Sequence, residues 1–503
     1  MSLSTKSAAL YQRFLPHGMW LVTLLAGFLR FWNLGYPHRL VFDETYYVKD
    51  AWSLWHLGYE GAWPSDANPA FEAGHLFGYT ATGAFVVHPP LGKWLIGIPM
   101  MIWGPQNSWT WRFTTALLGT LAVLLLMLVA KKLTGSQSFA VLAGLLMAID
   151  GHAIVLSRIA LLDGIVMFFA LLSFYFLLLD RERSRVFYQK LALRKPDSET
   201  LPVQFNRPWL IACAVALAAT TATKWSGLYF AAFFGVYIVV SEALLRRRLG
   251  LPNWAFNGFV RQGIANIFLM VPVYLATYLA TWTGWILTKG GWGRGTHNNW
   301  WNDLLAYEKQ IYDFHVNLRV PHSYASNPFT WLYEQRPVAM YYQQVSCPAW
   351  MHGWLDKLPN GCNSAIDAIG NPFIWWGALA AILYLTYHYL RFRNRTEGLI
   401  LLGIAAGYLP WLLYTQRTVF QFYSIAFFPY SVLALTYVLR SLWYRPTHSA
   451  KFPGRYWYAW RPYVFVYLVA VVAISAFFLS LWWGFVTPYA FWAAHMWLGP
   501  LWI

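Results

Sequence analysis

The chain has 503 residues, of which 58% are hydrophobic and 19% aromatic but only 11% charged, and its mean hydropathy is +0.39. That excludes an ordinary soluble domain of this size and makes the lipid bilayer the main solvent. The net charge of +17 is divided among short Lys/Arg clusters between apolar stretches, which argues against a nucleic-acid surface, and three cysteines make no metal framework.

A membrane span needs about 20 largely apolar residues. Such runs fall at roughly 16–35, 111–130, 138–156, 160–179, 208–223, 226–245, 263–288, 372–390, 398–414, 418–439 and 462–486. The predicted fold is therefore an all-α polytopic membrane protein with about eleven spans. Lys6 and Arg13 precede the first run, which continues through Phe31 and Trp32 without a small-residue cleavage site, so it reads as a retained helix rather than a removed signal peptide. With no internal repeat, residues 1–503 form a single membrane domain.

With a cytoplasmic N-terminus, every inside loop is basic: Lys131-Lys132, Arg181 to Lys195, Arg246-Arg247-Arg248 with Arg261, Arg391 to Arg395, and Arg440 to Arg461. The odd span count leaves the C-terminus outside. Two long loops, 36–110 and 289–371, then lie on the outer face, ahead of a C-terminal four-helix portion over 372–503. The first loop carries an amphipathic stretch (Tyr47, Val48, Ala51, Trp52, Trp55) and an apolar piece from Leu91 to Trp103, both too short to span and expected on the membrane surface. In the second, Cys347 and Cys362 are either free thiols or a disulfide worth about 3 kcal/mol.

Charges near spans are costly and usually mark function or pairing. Here Arg30, Asp43, Glu44, Arg112, Asp150, Arg158, Asp163, Lys224 and Arg417 all fall at the outer ends of the predicted spans. This arrangement suits an anionic lipid headgroup beside a carboxylate. Departure of a lipid phosphate develops negative charge that Arg112, Lys224 and Arg417 are placed to stabilise, while Asp43 or Glu44 serves as general base for a hydroxyl acceptor. Plainer readings stand beside these. Asp43 is also a favoured helix cap, Arg112 and Arg158 have the position of snorkelling side chains, Asp163 has Arg158 as a structural partner, and His88 in His-Pro-Pro reads first as a loop residue. Lys224 resists such a reading, because a lysine on the outer side opposes the positive-inside bias.

Several strings carry a family resemblance: Phe42-Asp43-Glu44 with Tyr46-Tyr47, His88-Pro89-Pro90-Leu91-Gly92-Lys93, Trp111-Arg112-Phe113, and Ser157-Arg158 with Leu161-Leu162-Asp163. Thr223-Lys224-Trp225-Ser226-Gly227-Leu228-Tyr229, Ser326-Asn327-Pro328, Arg336-Pro337 and Arg417 through Phe420-Gln421-Phe422-Tyr423 follow in order. Through them the chain resembles the protein O-mannosyltransferases, within the GT-C class of multi-spanning transferases that use lipid-phosphate sugars. The resemblance implies an inverting transfer of mannose from polyprenyl phosphate mannose to Ser/Thr of secreted or membrane polypeptides, with no metal or other cofactor. It implies that Asp43 is the catalytic base, that Glu44 positions the acceptor, and that Arg112, Lys224 and Arg417 lie at the donor; Asp163 matches an acidic position without an assigned role.

Eukaryotic members carry a β-trefoil domain in the second outer loop, and 289–371 is too short to add one. The expectation is therefore a bacterial type in the plasma membrane, its site facing outward on proteins leaving the translocation machinery. The competing readings are a transferase of the same architecture with another sugar or a lipid or glycan acceptor, and a transporter. One-sided charges and the lack of repeat symmetry disfavour the transporter.

Overall fold

The computed structural model describes residues 15–194, 198–351, 361–448 and 456–502. Lys6, Arg13 and Lys195, named above among the flanking charges, lie outside them. Seven helices are long and apolar enough to cross a membrane, or eight if one bent pair is a single span. The chain is a multi-pass helical membrane protein; among the described residues shorter apolar helices, Gly18–Phe31, Leu91–Trp103 and Pro208–Thr223, stand beside these long ones.

The full-length spans are α4 (Ser108–Thr134), α7 (Leu162–Leu193), α9 (Gly227–Arg248), α10 (Gly263–Thr281, entered through a π-helical turn at Phe256–Gln262), α12 (Pro372–Phe392), α13 (Arg395–Tyr408, continued by a 3-10 turn to Leu413) and α15 (Arg461–Trp483). Where spans were expected but shorter helices occur, local causes are visible. α1 (Gly18–Phe31) stops where the Arg158 guanidinium donates to the carbonyls of Arg30, Trp32 and Asn33, satisfying acceptors that another turn of helix would use. The run over 138–156 breaks into α5 (Gln137–Ala148) and α6 (Gly151–Arg158), bent by 63°. At the break the Asp150 carboxylate accepts from the Ala153 and Asn371 amides, an N-cap that restarts the helix. Gly151 lies where an added Cβ would come within 1.9 Å of the Trp482 ring, so only glycine lets α6 approach α15 this closely. α8 (Pro208–Thr223) and α14 (Phe428–Trp443) are 16 residues each, both entered through proline.

The segment 36–110 contains α2 (Glu44–Leu57) and α3 (Leu91–Trp103), and 289–371 contains α11 (Trp300–Asn317). A small antiparallel sheet departs from the all-α expectation. β1 (Ala339–Val345) pairs with β2 (Cys362–Asp367), with Gln343 opposite Ser364, and β2 pairs with β3 (Val486–Pro488) from the tail after α15. Cys347 and Cys362 are disulfide-bonded, with Cα atoms 5.1 Å apart, closing the β1–β2 connection. The sheet joins the C-terminal tail to the same face of the molecule as the second outer loop.

Candidate active site

Asp43 precedes α2 in the N-cap position, yet its side chain makes no capping bond, so the helix-cap reading of its carboxylate does not hold. Phe42, immediately before it, has φ +49°, a left-handed conformation that a bulky side chain adopts only at a cost of about 1–3 kcal/mol. Its ring is held against Phe420 (5.8 Å), Phe422 (5.6 Å) and His322 (6.2 Å), and this packing compensates the strain that turns Asp43 toward the bundle.

Two residues supply the charge around Asp43. Asp163, in the first turn of α7, accepts hydrogen bonds from Lys224 Nζ at 2.9 and 3.0 Å. Lys224 lies in the connection between α8 and α9, its ammonium 4.0 Å from the Tyr423 ring centroid. Burial pushes the Asp43 carboxyl up to about 6, raised further by Asp163 and opposed by Lys224 and by a hydrogen bond from Tyr47. A group with that value is mostly ionised at neutral pH and basic enough to accept a proton.

On the other side stand Arg417, His315 and His88. Arg417 Nη2 is 2.8 Å from His315 Nδ1, and His315 Nε2 is 2.8 Å from the Val87 carbonyl. A carbonyl only accepts, so Nε2 carries the hydrogen and Nδ1 receives the arginine proton, which requires a neutral ring. Burial, and then Arg417, hold His315 down to about 4, in agreement with that tautomer. His88 stacks on His315 at 5.1 Å and is likewise held well below the usual histidine range, first by burial and then by Lys224. Its carbonyl accepts from Lys93, which pairs at 2.5 Å with Glu60. His88 Nδ1 and Arg417 Nε are buried without a hydrogen-bond partner, the unspent polar capacity expected where a polar ligand binds.

Other charged side chains singled out in the sequence are engaged by protein groups. Arg112, expected at the donor phosphate, spends all five N–H groups on protein. Nε and Nη2 donate to the two Glu44 oxygens at 2.8 Å, and the rest go to the carbonyls of Leu34, Pro37 and Arg39. No donor remains for a phosphate. Glu44, expected to position the acceptor, is completely buried and also accepts from the Val41 and Ala160 amides. The pair clamps the loop before α2 to α4 and to the turn before α7, next to Asp43. Arg158 ends α1 as described, and Asp163 pairs with Lys224 instead of Arg158.

The structure thus brings together Asp43, Asp163, Lys224, Arg417 and His88, and sets Glu44, Arg112 and Arg158 apart as framework. His315, Tyr47 and Tyr423 join the cluster without having been singled out as site residues. Tyr47 and Tyr423 stand inside the family strings, whereas a lone histidine on a polar loop helix carries no pattern that would have flagged it. Among the described residues no group of three or more His, Cys, Asp or Glu side chains is arranged to hold a metal ion.

The family model described as dolichyl-phosphate-mannose-protein mannosyltransferase matches residues 20–288, and that of the C-terminal four-transmembrane region of protein O-mannosyltransferases matches 300–502. The chain belongs to the protein O-mannosyltransferase family. The curated polyprenol-phosphate-mannose–protein mannosyltransferase of Mycolicibacterium smegmatis is 31% identical over 458 residues, covering 86% of this chain and 83% of the relative. That of Mycobacterium tuberculosis is 30% identical over 455 residues, covering 86% and 82%. Among solved structures, the Saccharomyces cerevisiae Pmt1-Pmt2 complex bound to the sugar donor aligns with TM-score 0.69 at 14% identity, over 97% of this chain and 92% of that chain. An archaeal oligosaccharyltransferase from Archaeoglobus fulgidus aligns at 0.52 and 15% identity, over 95% and 57%. These likenesses show a shared GT-C fold.

Proposed function

We propose that the chain transfers mannose from polyprenyl phosphate mannose to Ser/Thr hydroxyls of proteins, with Asp43 as general base. The observation that carries this reading is the half-buried Asp43 carboxylate, free of any capping bond, beside the Lys224–Asp163 pair. Asp43 takes the hydroxyl proton as the acceptor oxygen attacks the sugar C1, and the C1–O bond to phosphate breaks with its electron pair on the leaving lipid phosphate. Attack opposite the leaving group inverts the anomeric centre. Lys224 donates to both Asp163 oxygens and favours the charged form of Asp43. Arg417, with Nε unpartnered, meets the charge that develops on phosphate, in a buried setting where such a contact is strong. Neutral His315 fixes the guanidinium by accepting from Nη2. The match to mycobacterial relatives supports a bacterial plasma-membrane enzyme, with the Asp43 face outward toward polypeptides leaving the translocation machinery.

Purified protein given radiolabelled polyprenyl phosphate mannose and a Ser/Thr-rich peptide is expected to label the peptide. Labelling only from another sugar donor, or of lipid alone, overturns the reading.

Two further results are expected in this assay. Because only ionised Asp43 accepts a proton and burial raises its carboxyl to about 6, kcat/KM falls tenfold per pH unit below that value and levels off above it. A limb near 4 would point to a solvated carboxylate instead. Arg417→Gln removes the charge facing phosphate and should lower kcat/KM for the lipid donor by about 100-fold, leaving the peptide KM little changed; an unaltered donor dependence places the phosphate elsewhere.

A further inference from the structure

The end of the bundle opposite Asp43 holds a second cationic site. Along α7, Arg181 lies 18 residues beyond Asp163, about 27 Å at the helical rise and close to the thickness of a bilayer's hydrocarbon core. There α7, α9, α12 and α13 enclose a cavity of about 910 Å³ whose lining includes Arg181, Arg185, Arg248 and Arg395. Four guanidiniums carried by α7, α9 and α13 thus line one cavity.

None of the four forms an ion pair or side-chain hydrogen bond among the described residues, although carboxylates are at hand. Asp180 and Glu242, which also line the cavity, are both committed to the buried Arg207, and Glu182 is committed to Lys132. The nearby Arg246 is different in kind: it is buried, paired with Tyr188 and stacked 3.9 Å from that ring. A positive-inside signal requires only basic residues in a loop; it does not require four unpaired arginines converging on one cavity from three helices. Deeper in the cavity the wall turns apolar, with Leu177, Phe233, Ile238 and Leu402.

We propose that this cavity binds the phosphate headgroup of an anionic membrane lipid, with the phosphate among the four arginines and the start of an acyl chain against the apolar wall. Guanidinium forks match phosphate oxygens, and basic pockets between helices at the end of a span are suited to anionic headgroups. The apolar wall, at the level where the spans end, favours a lipid over a soluble anion. This site is separate from the transfer chemistry and does not rest on it.

The test uses the full chain in detergent, with native mass spectrometry after addition of phosphatidylglycerol or phosphatidylcholine, and thermal-shift titration with inorganic phosphate. Wild-type protein is expected to retain phosphatidylglycerol about 10-fold more than phosphatidylcholine. Arg248→Gln with Arg395→Gln should lower that retention by about 25-fold, each charge being worth about 5-fold. Both positions are exposed, so the variant should keep its thermal midpoint. If the double variant fails to fold, Arg395→Gln alone should show the 5-fold loss while Arg395→Lys retains most binding. Equal phosphatidylglycerol retention by wild type and a folded variant overturns the site. Stabilisation by inorganic phosphate without selectivity between the two lipids assigns the arginines to a soluble anion and overturns the lipid.

Discussion

Asp43→Asn should reduce mannosyl transfer by about 10³-fold, the usual contribution of a positioned general base, while the KM for the lipid donor stays close to that of wild type. Asparagine matches the carboxylate in size and keeps an oxygen to accept from Tyr47, so the strained Phe42 turn and its aromatic packing are retained. What disappears is a proton acceptor. The amide that replaces the carboxylate does not titrate, so the pH limb near 6 should vanish from whatever rate remains. A variant that keeps a tenth or more of wild-type kcat, with the limb intact, would show that another carboxylate is the base. Asp163 is the group to examine next, although its two oxygens are already engaged by Lys224.

Arg112→Ala should act on folding. The guanidinium is 1% exposed and closes five hydrogen bonds, two of them to Glu44. Removing it leaves a buried carboxylate without its counter-charge and three loop carbonyls without a donor, a loss of about 3–5 kcal/mol. The expected result is poor recovery of monodisperse protein from detergent and a lowered thermal midpoint. Glu44→Gln should weaken the same clamp from its other side. The two effects should be strongly non-additive, because either change breaks one shared contact. A well-folded Arg112→Ala protein with normal stability and a raised donor KM would return this residue to the phosphate site.

The contrast between these two neighbours of Asp43 and Arg417 shows what a linear reading conveys. Charges at one end of apolar runs are visible in sequence, because placing an ion near lipid is costly whatever it contacts. The resemblance strings marked Asp43, Lys224 and Arg417 as well as Arg112 and Glu44, with nothing to separate substrate contact from framework. The separation is a matter of saturation: Arg112 has five protein acceptors within reach, whereas Arg417 has a histidine on one nitrogen and a buried Nε with no partner. Acceptors from residues 34, 37 and 39 converge on Arg112 only after the loop has folded over α4.

Membrane residence and the helical character of the spans were determined by the sequence itself, because hydrophobic run length answers directly to the bilayer. The tertiary structure alone decided where an apolar run breaks, since a side-chain cap such as Asp150 restarts a helix where hydropathy does not change. It alone formed the small sheet across the second outer loop and the C-terminal tail, a pairing between residues more than 120 positions apart. It also decided which charges are spent on one another. Hydrogen bonding is short-ranged and competitive, so the roles of Glu44, Arg112, His315 and the four converging arginines follow from which partners come within about 3 Å, and adjacency in the chain does not record that.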